Sequence, residues 1–529
     1  MNKNILMRKF TNKHNFVFIF TIFIVLLFLL IEMNFVAAYS SSPDEVGEKI
    51  FYSQIAKNGL LPITDYKNLN KTYKNVFKNR GVINNNQGVM LPIKALGNIY
   101  LNGSLFSLLI NIMSIEEFLV LMHSIILLIA IIYCYKFVSL LTIKSNYLNL
   151  LIITPLLFVF NLYSDRTLNY YTINTLLCLF YFFKWYRKEK TNGIDFNLLL
   201  SSLFLSAAIV IRYEFGISIL IFSFFLIALI VRKHRPPNIL LFNVLPILIC
   251  ILIFFSNKIF YGGILQFGYS FISNATSQAY SEKINLPRRI LSLIFIVKLR
   301  PEIILRNIWQ YVIALFPLIF FPAVISYRTI ISNKFITFLI VSISLFLIFY
   351  YGSNPTFHGY EDITIESSYA RYFAPIYLPL FIYALPVYIF LFERVIRNKI
   401  IKFSTLALLT VISMLFVFNA AKADYENNIK YDNSLAQIKK TLPKNAVIFT
   451  NYWDKLFYKD YLVATLSNKA KTNQDYFTVM AKFHLDNPPT PVYYIAKDEK
   501  EGFDFSLFTR SNKGVKCNNI NAFNMCKLE

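Results

Sequence analysis

Histidine is scarce in this chain, five in 529 residues, and the five are scattered. No H-E-x-x-H, no paired C-x-x-C and no histidine cluster occurs, which argues against a dedicated zinc site. Five cysteines are too few for a disulfide scaffold. Cys134, Cys178 and Cys250 fall in apolar runs as packing residues, whereas Cys517 and Cys526 lie in a polar tail and can pair if that tail is extracytoplasmic. There is no glycine-rich nucleotide fingerprint in the tail, no Walker motif anywhere and no internal repeat. Acids are also few, 29 against 53 Lys and Arg, for a formal charge of +24. In a soluble protein that surplus would suggest nucleic acid. Here 56% of residues are apolar and mean hydropathy is +0.49, so the chain is neither disordered nor an ordinary soluble enzyme. Nucleic acid is therefore not the expected partner, and the bilayer is.

What is present is a series of apolar runs near 20 residues, the length of a membrane-crossing helix. Residues 1–14 carry four basic groups and no acid, and 15–38 form a long first span that we read as retained rather than cleaved. Further spans are expected near 117–135, 147–163, 168–183, 197–211, 215–231, 239–256, 307–327, 335–351, 371–392 and 403–420, about eleven in all. With the amino terminus inside, the inner segments hold 19 basic residues against three acids, and the short outer loops hold three arginines against five acids. Lys and Arg gather on the cytoplasmic side of membrane proteins, so the bias fixes the orientation. It puts the first loop, 39–115, and the tail, 421–529, outside a plasma membrane. The expected fold is a multi-span all-α bundle, 1–420, with a small extracytoplasmic α/β domain, 421–529. Strands are expected at Ala446–Thr450 and Pro491–Ala496, after a helix opening over Asn433–Thr441.

The stretch S-P-D-E-V-G-E-K-I-F-Y-S-Q-I-A-K-N-G, Ser42 to Gly59, follows the first span directly. Ser42 suits a helix cap, Pro43 the first helical position and Glu45 the third residue of a capping box. Val46, Ile50, Phe51 and Ile55 make one apolar stripe, and Gly59 ends the helix. Asp44 and Glu45 thus stand just above the bilayer. Acids in a first turn also complement the helix dipole without doing chemistry. Other outer ionic groups sit at span ends: Asp165 and Arg166 in the turn S-D-R-T, Arg212 and Glu214 in I-R-Y-E-F-G, and Arg371 in S-S-Y-A-R-Y-F. Charges at membrane depth are expensive and usually have a task or a partner, and guanidinium forms bidentate pairs with phosphate. Residues 257–306 break the charge rule. With Arg288 and Arg289 flanking a short apolar core, they read either as an interfacial helix snorkelling to headgroups or as a basic wall for an anionic substrate. A divalent cation, Mg²⁺ or Mn²⁺, on the oxygens of Asp44 and Asp165 stays open. Three N-x-S/T sequons, at Asn70, Asn102 and Asn274, fall outside, at a frequency that chance explains in an Asn-rich chain.

The first span followed by P-D-E, the amphipathic helix ending A-x-x-G, the segment L-P-x-x-x-L-G-x-x-Y from Leu91, Y-G-G-I-L-Q-F-G-Y (Tyr261–Tyr269) and S-S-Y-A-R-Y-F-A-P-I-Y-L-P (Ser367–Pro379) occur in order. Together they resemble the GT-C superfamily of membrane glycosyltransferases, in the branch of protein mannosyltransferases and aminoarabinose transferases. The resemblance covers most of the membrane part and not the tail. It implies inverting transfer of a sugar from a polyprenyl-phosphate donor to a glycan, lipid or protein acceptor at the outer face. It further implies Asp44 as general base with Glu45 beside it, Asp165 as a second carboxylate, and Arg371 as a phosphate ligand. Independently of the resemblance, Arg212 at its span end is a candidate phosphate ligand and Arg288 and Arg289 are candidates for the basic wall; Tyr269, which closes the Tyr261–Tyr269 motif, is a candidate substrate contact. Family members often carry Pro-Pro where this chain has Leu91-Pro92. The competing reading is a transporter or flippase of an anionic lipid-linked substrate. It would place ionisable groups inside the spans, which here are nearly free of charge.

Overall fold

A computed structural model describes residues 3–37, 43–59, 82–84, 90–92, 96–141, 148–164, 168–188, 195–232, 234–261, 301–329, 334–352, 370–395, 398–450, 453–457, 460–465, 473–487, 490–497, 515–520 and 523–528. In chain order the elements are α1 (Lys3–Asn34), α2 (Pro43–Asn58), β1 (Val82–Asn84), β2 (Met90–Pro92), α3 (Leu96–Ser107), α4 (Ile115–Leu141), α5 (Leu148–Val159), α6 (Tyr170–Tyr186), α7 (Phe196–Ile211), α8 (Ser218–Val231), α9 (Val244–Tyr261), α10 (Pro301–Ile308), α11 (Pro317–Thr329), α12 (Lys334–Gly352), α13 (Ala370–Val395), α14 (Lys399–Thr441), β3 (Val447–Thr450), α15 (Asp454–Phe457), β4 (Leu462–Thr465), α16 (Asn473–Asp486), β5 (Val492–Lys497), β6 (Val515–Ile520) and β7 (Phe523–Leu528). The chain divides into two compact units. Met1–Asn34, Leu119–Ile253 and Ala279–Asn419 make the first; Phe35–Phe118, Phe254–Gln278 and Ala420–Glu529 make the second.

The first unit is a helical bundle shaped for lipid. Along α8, Ile219, Phe222, Leu226 and Leu229 are buried, while Leu220, Phe224, Ile227 and Val231 are exposed. A helix apolar on both faces has no water-facing side, and its outward stripe suits hydrocarbon. Among the described residues four helices are long and apolar enough to cross a membrane: Ile115–Leu141, Pro237–Tyr261, Phe373–Arg394 and Ile400–Thr441. A fifth is added if the bent pair Pro301–Ala314 and Pro317–Arg328 counts as one span. Shorter apolar helices cover Phe18–Asn34, Leu150–Val159, Phe196–Ile211, Phe215–Val231 and Thr337–Phe349. Where a span is expected at 307–327 the helix is broken. The two helices there meet at 90°, because a π turn, Trp309–Ala314, is followed by Pro317, which opens α11 without an N–H to continue the ladder.

Buried α13 carries three internal prolines, Pro375, Pro379 and Pro386. It is pinned by its tyrosines. Tyr383 shares a hydrogen bond of 2.8 Å with Thr337 of α12. Tyr388 donates to the Leu318 carbonyl of α11. That carbonyl lies four residues before Pro322 inside α11, so the proline has removed its usual helical donor. Tyr388→Phe should therefore cost about 1–3 kcal/mol, the price of an unsatisfied carbonyl, read as a lower melting temperature of the purified protein. At the start of α7, Asp195 accepts from the Asn197 and Leu198 amides and from Lys188 at 2.5 Å. Burial pushes its carboxyl up, but the Lys188, Leu198 and Asn197 hydrogen bonds outweigh that and hold it below the usual carboxylate range.

In the second unit the tail forms a mixed five-stranded sheet in the order β4-β3-β5-β7-β6. β3 runs parallel to β4 and β5; β7 is antiparallel to β5 and β6. Both expected strands are present, at Val447–Thr450 and Val492–Lys497. Their near-continuous apolar composition reflects burial on both faces. Val447, Phe449, Val492 and Tyr494 face α16 with Met480 and Phe483. Ile448, Tyr493 and Ile495 join Ile438, Leu442, Trp453 and Phe523 on the other side. Cys517 and Cys526 sit directly opposite on β6 and β7 and are disulfide-bonded. The helix expected to open near Asn433 is instead the end of α14, which runs unbroken from Lys399 to Thr441. The composition changes from apolar to polar near residue 420, yet no Gly or Pro interrupts the helix until Pro443.

Candidate functional site

The acid-bearing helix lies in the second unit. α2 starts at Pro43 and ends where Gly59 takes φ +70, its N–H bonding the Ile55 carbonyl at 2.8 Å. That left-handed cap is the one expected of Gly59. The apolar stripe divides between two partners. Phe51 and Ile55 are buried, and Ile55 meets α3 where a Cβ added at Gly103 would stand 2.7 Å from the Ile55 Cβ. Glycine is therefore required at residue 103 for α2 and α3 to approach this closely. Val46 and Ile50 instead pack on the tail cluster that contains Ile438, Leu442, Trp453 and Phe523. A third side is ionic: Lys49 Nζ lies 3.5 Å from Glu116 Oε1 in the first turn of α4, both groups mostly buried. α4 is itself capped by Ser114, whose Oγ accepts from the Glu117 amide, while Glu117 Oε2 accepts from the Ser114 amide at 2.7 Å.

Between α2 and α3 runs a buried polar set. Tyr52 is 1% exposed. Its hydroxyl donates to Glu48 Oε2 at 3.0 Å and accepts from Asn98 Nδ2 at 3.1 Å and Asn102 Nδ2 at 3.2 Å. Asn102 Nδ2 also reaches Asn98 Oδ1 at 3.2 Å. The sequence reading passed over Glu48, Tyr52 and Asn98, and took Asn102 only as a sequon. The available signal was a pair of i, i+4 spacings, Glu48–Tyr52 and Asn98–Asn102, which stack polar groups on one helix face. Asn102 is 2% exposed inside α3, so that sequon is not open to glycosylation; Asn70 and Asn274 lie outside the described residues. Met90–Pro92 form strand β2, paired antiparallel with β1 before α3 begins. Leu91 is buried with Tyr261, whose hydroxyl donates to the Pro92 carbonyl at 2.9 Å. Two motifs of the resemblance are thus tied together directly.

In the first unit, Arg212 caps the C-terminus of α7 and its guanidinium stacks on Tyr171, 5.5 Å from the ring centroid. Phe215 meets the same ring edge-on at 5.1 Å. Tyr171 stands in the first turn of α6, which is capped by Asn169. Of the other expected site residues, Glu45 is half-buried on α2. Asp44 occupies the second position of α2 and Arg371 the second position of α13, but the side chains of both lie outside the described residues. Asp165, Tyr269, Arg288 and Arg289 also lie outside them. Among the described residues no three His, Cys, Asp or Glu converge on a metal-sized site, and the side chains of Asp44 and Asp165 lie outside those residues.

No protein-family model and no curated protein sequence matches this chain. Solved structures do. The apo crystal structure of the Archaeoglobus fulgidus oligosaccharyltransferase aligns over 90% of this chain and 69% of its own, at 12% identity and a TM-score of 0.50. The same enzyme with Zn and sulfate aligns over 93% and 70%, at 12% identity and a TM-score of 0.51. Its form tethered to an acceptor peptide containing the NVT sequon aligns over 90% and 69%, at 11% identity and a TM-score of 0.50. This chain has a GT-C fold. The likeness extends through 90% or more of the chain, well beyond the short motifs, and at this identity it is a likeness of fold.

Proposed function

We propose that the protein is a membrane glycosyltransferase that moves a sugar from a polyprenyl-phosphate-linked donor to an acceptor at the outer membrane face, with inversion. The observation that carries the reading is the placement of an acid-bearing helix, α2, directly after the first apolar helix of a GT-C fold. The donor's leaving phosphate stays at the bilayer surface, so no soluble nucleotide-binding fold is needed. Asp44 takes the acceptor's proton as general base. Glu45 stands beside it, and Asp165 supplies a second carboxylate; Mg²⁺ or Mn²⁺ on those oxygens would add positive charge for the leaving group. Arg212 and Arg371 balance the departing phosphate, and Tyr269, Arg288 and Arg289 contact the donor. The acceptor is a glycan, a lipid or a protein. An acceptor peptide bound to the A. fulgidus enzyme makes a peptide the first to try.

The topology in this reading has about eleven spans, a cytoplasmic amino terminus, the bundle over 1–420 and an extracytoplasmic domain over 421–529. It is supported by the make-up of the second unit, which gathers Phe35–Phe118, Phe254–Gln278 and Ala420–Glu529. The first and last of these, the loop after α1 and the tail, are segments that the charge bias threads to the outside. The Cys517–Cys526 disulfide agrees, since such bonds persist in oxidising compartments. In intact cells a membrane-impermeant maleimide should label neither cysteine until a reductant is added, and the partly exposed Cys517 thereafter. Labelling that needs permeabilised cells would put the tail inside.

The reaction is tested with purified protein in sealed proteoliposomes and a panel of radiolabelled polyprenyl-phosphate- and polyprenyl-pyrophosphate-linked sugars, with peptide, glycan and lipid acceptors. Label leaving the polyprenyl carrier in the presence of one acceptor class supports transfer. Label that crosses the bilayer still attached to its carrier supports the flippase instead.

A further inference from the structure

We infer that Glu48 and Tyr52 are positioning residues for the acid at residue 44, setting the roll of α2 about its own axis; this rests on the glycosyltransferase reading above. The spacing i, i+4, i+7, i+11 puts residues 44, 48, 51 and 55 on one face of α2. Ile55 of that face meets Gly103 of α3, and Glu48 of that face holds the Tyr52 hydroxyl that Asn98 and Asn102 of α3 reach. The apolar part of the joint sets distance: Gly103 lets Ile55 in to van der Waals contact. Apolar contact is not directional, so by itself it tolerates some roll. The polar part is directional. The Tyr52 hydroxyl has one proton and two acceptor lone pairs, and all are used, on Glu48, Asn98 and Asn102. Asn98 and Asn102 are further joined to each other, which fixes the two amides.

A buried polar set of this kind is a poor way to gain stability, because apolar residues of similar volume would pack the same joint at lower desolvation cost. What it can fix is register. The consequence for chemistry is large. A roll of about 20° moves a group some 6 Å from the helix axis through about 2 Å. A misplacement of about 1 Å at a reacting centre can cost on the order of 100-fold in rate. Glu48 here acts as a hydrogen-bond acceptor that orients Tyr52, and needs no proton transfer of its own.

The test uses the full-length protein and whichever lipid-linked sugar of the panel turns over. Tyr52→Phe and Glu48→Ala should lower kcat 10- to 100-fold, with KM for donor and acceptor within about twofold. Glu48→Gln keeps an oxygen for the Tyr52 hydroxyl and should recover most of what Glu48→Ala loses. Asp44→Asn is run beside them. An unchanged kcat in Tyr52→Phe overturns the inference. So does a Glu48→Gln enzyme as slow as Glu48→Ala, which would make the charge itself the requirement. Loss of rate matched by loss of folded protein in all three variants would reduce the set to a structural role. If Asp44→Asn turns over normally, it is the base assignment that falls. If Asp44→Asn is dead while Tyr52→Phe is normal, only the positioning role falls.

Discussion

Asp44→Asn should cut the rate of sugar transfer by about 10²–10⁴-fold, the usual contribution of a general base. The carboxamide matches the carboxylate in size and loses only the ability to take a proton. Folding should be nearly unaffected. Residue 44 is in the first turn of α2, where an acid's interaction with the helix dipole is worth about 0.3–1 kcal/mol. The helix is otherwise held by Ile55 on Gly103, by Val46 and Ile50 on the tail and by Lys49 on Glu116. Donor turnover and a thermal melt on the same preparation separate the two effects. A variant that melts normally and still turns over would remove Asp44 from the reaction.

The second large effect is structural. Gly103→Val should destabilise the protein by about 3 kcal/mol, at the upper end of overpacking costs. The nearest atom to a Cβ at residue 103 is the Ile55 Cβ, at 2.7 Å, with Cγ2 at 2.8 Å and Cδ1 at 3.1 Å. A Cβ is fixed to its backbone, so it cannot swing aside as a side-chain tip can. Valine's better helix propensity returns only a few tenths of a kcal/mol relative to glycine, and the clash wins. Combining it with Ile55→Ala removes two of the three atoms but leaves the nearest, so recovery of the melting temperature should be partial. Full recovery would mean that α2 and α3 can move apart freely.

Several features were legible in the residues because each rests on local chemistry. Gly59 was expected to end α2 and does so in the left-handed conformation. The strands near Val447 and Val492 followed from β-branched and aromatic runs bounded by Pro443 and Pro491. The polar partners of α2 were not legible, because Tyr52 and Asn102 lie 50 residues apart and nothing in either sequence neighbourhood names the other. The bend at Pro317 was missed for a different reason: hydropathy averages over a window and does not register a π turn. α14 passes unbroken through the change in composition near residue 420, because no Gly or Pro stops the backbone there, so the helix-like stretch Asn433–Thr441 is its continuation. For Asp165, Tyr269, Arg288 and Arg289 the sequence remains the only source, since they lie outside the described residues.

The packing of Val46 and Ile50 against Ile438 and Phe523 has a consequence for how the protein is made. α2 leaves the ribosome early, yet the surface that covers it is encoded roughly 390 or more residues later. At about 5–20 residues per second, that is a wait of some 20–80 seconds with part of the helix uncovered. A nascent chain therefore cannot finish the neighbourhood of its acid until translation is nearly over, and transferase activity would begin only once the last strands have been delivered. A stop codon that removes even β5–β7 should leave an inserted but inert protein.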